Sequence, residues 1–172
     1  RGLKTPVIEQ MPHVMPAMAD EVSAAIAEEA LWKAGVPVRC GVRATELLGK
    51  NGQIAGVRVE SGEVLPCQLL VIAAGVAPNI DFLDGTGVTI HRGVLVDAYQ
   101  RTSLGEIYSA GDVAETVDMF SGERVLNAIW PEALNQGRIA GLNMAGVATA
   151  YEGSMAMNVT TVIGTPIASI GL

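Results

Sequence analysis

Residues 102–112 read Thr102-Ser103-Leu104-Gly105-Glu106-Ile107-Tyr108-Ser109-Ala110-Gly111-Asp112. The run Ile107-Tyr108-Ser109-Ala110 reads as a buried strand, and Gly111-Asp112 stops it. A glycine at a strand end lets backbone come close to a ligand, because no side chain holds it off. A carboxylate beside it can accept hydrogen bonds from sugar hydroxyls. Gly-Asp after an apolar strand is also an ordinary turn. The surroundings decide between the two readings.

Upstream, Gln68-Leu69-Leu70-Val71-Ile72-Ala73-Ala74 is a continuous apolar run ending at Gly75, the pattern of a strand buried on both faces of a parallel sheet. Before it, residues 44–48, 54–60 and 64–65 read as strands joined at Asn51-Gly52 and Ser61-Gly62, which is a small antiparallel meander. Residues 36–40 read as a further strand. Residues 20–34 carry Val22, Ile26, Ala30 and Trp32 near the helical period, continuing from Met18 just before them, with Glu29 four residues ahead of Lys33 and Gly35 as terminator. That is an amphipathic helix. Downstream, Val94-Leu95-Val96-Asp97 reads as a short strand. A polar loop surrounds Ser121-Gly122, and a helix has Pro131 in its first turn and runs through Met144 to Gly146. Thr160-Thr161-Val162-Ile163 and the residues to Ile167 read as strand and turn.

With its spacing intact, the stretch from Thr102 to Asp112 resembles the second FAD-binding motif of the pyridine nucleotide-disulfide oxidoreductase superfamily, the flavoproteins with two dinucleotide-binding domains. Leu70-Val71-Ile72-Ala73-Ala74-Gly75-Val76-Ala77-Pro78-Asn79 resembles the motif that closes the NAD(P)-binding domain of the same family. The wording around Gly111-Asp112 is closer to the NADH oxidase and nitrite or rubredoxin reductase branch than to glutathione reductase. The resemblance implies that Asp112 accepts hydrogen bonds from the ribityl chain of FAD, that Gly111 permits the close approach, and that the N–H of Val113 points toward the pyrophosphate. The segment from Trp130 to Asn143 is similar to the family helix whose N-terminus faces the flavin ring. There the backbone at Glu132 and Ala133 would stabilise negative charge on reduced flavin, since a helix N-terminus carries unpaired N–H groups. Val7-Ile8-Glu9 resembles the end of the second NAD-domain strand, so Glu9 would pair with the adenosine ribose and favour NADH over NADPH. Gly75 falls to the same NAD site.

The expected fold is therefore α/β, a partial two-dinucleotide-binding-domain (Rossmann-like, FAD/NAD(P)-binding) flavoprotein fold with an antiparallel β-meander. Residues 1–79 would be the C-terminal part of the NAD(P)-binding domain, 80–147 the C-terminal part of the FAD-binding domain, and 148–172 the start of an interface or dimerisation domain. No Gly-x-Gly-x-x-Gly occurs in the 172 residues, so neither pyrophosphate loop is present. The expectation is a fragment, inactive alone, that pairs with missing segments or forms a homo-oligomer, because half-sheets expose apolar edges.

Composition narrows the partners. Hydrophobic residues make up 49% and charged residues 17%, which excludes a disordered tail. The net charge of −7, from 11 basic and 18 acidic residues, opposes a nucleic-acid partner. No leader pattern and no membrane span are read, leaving the cytoplasm as the default compartment. Cys40 and Cys67 match neither a Cys-x-x-Cys pair nor zinc spacing and read as reduced thiols in strands. Met11, Met15 and Met18 read as core filling, and His13 and His91 as loop histidines. No residue is assigned to a metal. The implied function is that of an FAD-dependent NAD(P)H oxidoreductase that takes hydride from nicotinamide and passes electrons to an acceptor: oxygen, a disulfide, nitrite or an iron protein such as rubredoxin. The alternative is a non-catalytic structural or assembly module that kept the fold without the cofactor loops.

Overall fold

The computed structural model describes residues 2–171 and divides into two compact units, one of 2–74 with 159–170 and the other of 75–158. In the first unit, strand β1 (Val7–Ile8) pairs in parallel with β2 (Val38–Arg39), and helix α1 (Glu21–Lys33) connects them. This is the smallest βαβ unit. Asp20 caps α1 by accepting the N–H of Ser23 at 2.8 Å, and Glu29 pairs with Lys33 at 2.6 Å on the outer face. Extended residues 36–40 shrink to a two-residue ladder because only Val38 and Arg39 find a partner on β1.

Helix α1 buries a different face from the one its large apolar residues suggest. Val22, Ile26 and Trp32 are exposed, whereas Ala24 and Ala27 are fully buried. Small side chains let the helix backbone approach its neighbours closely. The alanines pack with Val14, Ala19 and Ile167, and Met15, Met18, Val38 and Cys40 fill in around them. Met11 stays exposed.

Strands β3 (Ala44–Lys50), β4 (Gln53–Val59) and β5 (Val64–Pro66) form the antiparallel meander in the order β3-β4-β5. Asn51 and Gly52 both take positive φ, as a two-residue primed hairpin turn requires. The run 68–74 corrects the sequence expectation. It forms no strand and pairs with nothing among the described residues, and Leu69, Val71 and Ile72 are each more than 70% exposed. A strand of a parallel sheet needs neighbours on its hydrogen-bonding edges, and none of the described residues supplies one.

In the second unit, β6 (Val94–Leu95) runs parallel to β7 (Ala114–Val117), which is antiparallel to β8 (Arg124–Val125). The sequence reading places only a polar loop around Ser121-Gly122, and strands β7 and β8 flank it. Ile107-Tyr108-Ser109-Ala110 is not a buried strand. Tyr108 makes one isolated bridge to Arg101, and Ile107 is 44% exposed. The core of this unit is Val94, Val96 and Ala114, with Ile80, Leu83, Val88 and Val113 against it. Helix α2 (Trp130–Met144) has Pro131 in its first turn and ends before Gly146, whose φ is +83°. The Asn143 side chain holds that end, donating to the carbonyls of Tyr99, Ile139 and Thr149 and accepting the N–H of Thr149. Strands β9 (Met157–Val162) and β10 (Thr165–Ile170) form a hairpin turning at Ile163-Gly164.

Candidate functional site

The chain leaves β6, returns through the Arg101–Tyr108 bridge and turns at Gly111 before entering β7. Gly111 has φ +83°, a region that side-chain-bearing residues disfavour. The turn closes through Ala114 N–H donating to the Gly111 carbonyl at 2.9 Å, which ties it to the start of β7. Asp112 is exposed, and its carboxylate accepts nothing from the described residues. The N–H groups of Asp112 and Val113 likewise find no acceptor among them. One small turn therefore offers a free carboxylate and two free backbone donors, the complement of a ligand carrying hydroxyls and anionic oxygens.

The N-terminus of α2 lies beside this turn. A Cβ built on Gly111 would sit 3.5 Å from the Cβ of Ala133. Ala133 N–H is taken by the Ile129 carbonyl at 3.1 Å, whereas the N–H groups of Trp130 and Glu132 have no acceptor among the described residues. Of the two backbone positions expected from the sequence, Glu132 is the one with a donor to give. Its side chain is engaged: the Tyr151 hydroxyl donates to one oxygen of the carboxylate and Met155 N–H to the other, at 3.3 Å. Burial, then the neighbouring Glu132, pushes the Tyr151 phenol well above its ordinary range, so it stays protonated.

Two buried residues that the sequence reading did not single out carry polar contacts here, Gln136 to the turn itself and Glu115 to the loop that enters β6. Gln136, 1% exposed, accepts the N–H of Gly111 at 2.8 Å. Glu115, fully buried on β7, accepts from His91 Nδ1 at 2.8 Å and from the N–H groups of Arg92 and Gly93 at 2.9 and 3.0 Å.

In the first unit, Glu9 follows β1 directly. Its backbone joins Arg39 and Val42, and its carboxylate accepts the N–H of Met11 at 2.9 Å. It is half-buried. Gly75 is exposed with φ +88°. Neither Cys40 nor Cys67 is in a disulfide. Among the described residues no cluster of His, Cys, Asp or Glu could hold a metal ion, and no helix is long and apolar enough to cross a membrane.

A short parallel βαβ piece, a meander, and a glycine-aspartate turn set against a helix N-terminus define a dinucleotide-binding type of α/β protein. Residues 1–137 match the model of the pyridine nucleotide-disulphide oxidoreductase family, and the chain belongs to that family. It is 33% identical, over 99% of its length, to the NADH-dependent phenylglyoxylate dehydrogenase subunit epsilon of Aromatoleum evansii, and covers 40% of that protein. It is 33% identical over 86% of its length to an NADH oxidase of Methanocaldococcus jannaschii, covering 33% of it. The structure superposes on a NAD-dependent persulfide reductase from A. fulgidus with a TM-score of 0.87 and 29% identity, over 93% of this chain and 30% of that one. The chain thus spans well under half the length of these relatives.

Proposed function

We propose that this chain supplies half of an FAD site and part of a nicotinamide site in an FAD-dependent NAD(P)H oxidoreductase. The observation that carries the reading is the turn at Gly111-Asp112-Val113. Its free carboxylate and unpaired N–H groups suit the ribityl hydroxyls and the pyrophosphate, and the unpaired Glu132 N–H suits an electron-rich ring edge. Asp112 would hold the ribityl chain, Gly111 give it room and Val113 meet the pyrophosphate. Ala133 lines the turn by its methyl group. When bound, the flavin supplies two-electron acceptance from a reduced nicotinamide and delivery onward to a second acceptor. The protein's part is to bind, orient and keep negative charge favourable at the α2 N-terminus.

Glu9 and Gly75 belong to the nicotinamide side of this reading. A carboxylate at the end of β1 accepts ribose hydroxyls and repels a 2′-phosphate, which favours NADH; two of the relatives bear NADH in their names. The unpaired apolar run 68–74 calls for covering strands, from further chain or from a second copy. Residues 1–79, 80–147 and 148–172 would then belong to the NAD(P), FAD and interface domains, in a cytoplasmic enzyme.

The test is the visible spectrum of the purified protein that carries this chain, followed by anaerobic NADH. A flavin band that bleaches on NADH supports the reading. A colourless protein that takes up no added FAD overturns it in favour of a structural module.

A further inference from the structure

Gln136 is among the largest fully buried side chains of the chain, and its hydrogen bonds have a forced direction. The Gly111 N–H can only donate, so the Gln136 oxygen, 2.8 Å away, accepts. The amide nitrogen is then the atom facing the Tyr151 hydroxyl at 3.4 Å, and it too can only donate. With its oxygen accepting there, Tyr151 has one proton left, and that proton goes to the Glu132 carboxylate. The second Glu132 oxygen takes the Met155 N–H. One continuous chain thus runs from the Gly111 turn, through the middle of α2, to the first turn of the same helix. Every member has one available orientation, so moving any link leaves a buried polar atom unpaired.

We propose that Gln136 is a positioning residue: its amide locks the Gly111-Asp112 turn to the first turn of α2, so that the ribityl-facing and ring-facing parts of the site hold a flavin as one rigid unit. This rests on the flavin reading above. Gln136 touches no cofactor atom and acts through Gly111 and, by way of Tyr151, through Glu132. Fixing both contacts beforehand removes ordering that binding would otherwise have to supply.

The experiment compares the protein that carries this chain with Gln136→Leu, Gln136→Glu and Tyr151→Phe. It reads FAD dissociation by flavin fluorescence, the flavin midpoint potential, and the melting temperature of the apoprotein. Gln136→Leu should weaken FAD binding about tenfold or more and move the potential. Gln136→Glu restores an acceptor for the Gly111 N–H but removes the donor to the Tyr151 hydroxyl, so it should recover part of the affinity and leave the remainder lost with the Tyr151 link. A purely structural glutamine would give the opposite order, with Glu no better than Leu, and that result overturns the proposal. So does a folded Gln136→Leu with wild-type affinity and potential. If Gln136→Leu fails to fold, Tyr151→Phe breaks the same chain one link further on, and wild-type affinity and potential there overturn the proposal equally. Wild-type protein that binds no FAD would instead sink the flavin reading itself.

Discussion

His91 Nδ1 and the Glu115 carboxylate meet at 2.8 Å across the boundary between solvent and core, with the histidine side chain 66% exposed and the glutamate not exposed at all. Glu115 also gathers the N–H groups of Arg92 and Gly93, so a buried charge is surrounded by three donors. Burial pushes its pKa up, but the bonds from His91, Gly93 and Arg92 outweigh that and hold it below its ordinary value of 4.5. Glu115→Ala strands a buried backbone N–H and opens a hole beside β6, and should cost about 3 kcal/mol of stability. Glu115→Gln keeps one accepting oxygen and should cost about 1 kcal/mol. His91→Ala, on the exposed side, should cost under about 1 kcal/mol. The sign of the pH effect follows from the lowered value. Glu115 stabilises fully above pH 4.5 and loses that contribution as pH falls through its depressed folded value. Urea denaturation between pH 3 and 7 checks this, and the acid loss should be smaller in Glu115→Gln.

Two glycines near the Gly111-Asp112 turn should respond to alanine for different reasons. A Cβ on Gly93 would lie 2.6 Å from both the Val113 carbonyl oxygen and Leu126 Cδ2. The carbonyl is backbone, so Gly93→Ala must push the turn itself and should cost about 2–3 kcal/mol. At Gly111 the nearest atom stands at 3.5 Å, which is ordinary contact, but φ is +83°. Gly111→Ala should therefore cost only the conformational penalty, about 1 kcal/mol. Thermal denaturation ranks the two, and equal losses would contradict the crowding at Gly93.

Cys40 gives a chemical test of the view that the cysteines play no redox part. Its thiol lies 3.4 Å from Glu28, and burial followed by that carboxylate pushes its pKa up to about 11. Against an ordinary value of 9.0, this leaves about a hundredth of the usual thiolate at pH 8. Iodoacetamide should label Cys40 about a hundredfold more slowly than an unperturbed thiol. Glu28→Gln should speed the labelling. Mass spectrometry of timed samples reads both, and rapid labelling of Cys40 in the native protein would contradict the assignment.

What the sequence discloses about this fold is what local chemistry settles. Asp20 and Gly35 bracket α1, Asn51-Gly52 dictates the β3-β4 turn, and Pro131 and Gly146 bracket α2, because each acts through its own neighbours. The buried face of α1 was not legible: the helical period of Val22, Ile26 and Trp32 marks an apolar stripe, but close packing selected the alanines. The run 68–74 failed for the opposite reason. Its pattern describes an environment of neighbouring strands, and no described residue provides that environment. Strands β7 and β8 carry Glu115, Thr116 and Arg124, so they lack an apolar alternation. Their charges are satisfied by partners distant in sequence, such as His91 with Glu115 and the Val96 carbonyl with Arg124. At the candidate site, Gly111 and Asp112 were legible from motif spacing. Gln136 was not, since its significance arises only when Gly111 N–H and Tyr151 are brought against it.

Asp112 and Asp118 separate binding from folding within one short stretch. Asp118 spends its carboxylate on its own loop, accepting the N–H groups of Phe120 and Ser121 and the Ser121 hydroxyl, and these bonds hold its pKa below the ordinary carboxylate value. Asp118→Ala should thus loosen the β7-β8 connection and lower the melting temperature, with FAD affinity little changed. Asp112 is exposed and bonded to none of the described residues, so Asp112→Ala should leave stability within about 0.5 kcal/mol. Its effect should fall on the ligand. One charge-assisted hydrogen bond lost from FAD is worth about 1.5–3 kcal/mol, or roughly one to two powers of ten in the dissociation constant. Flavin content after purification and FAD titration of the apoprotein measure this in the protein that carries the chain. Undiminished flavin in Asp112→Ala would remove Asp112 from the site, and a loss in Asp118→Ala of equal size would show that loop order rather than the carboxylate governs binding.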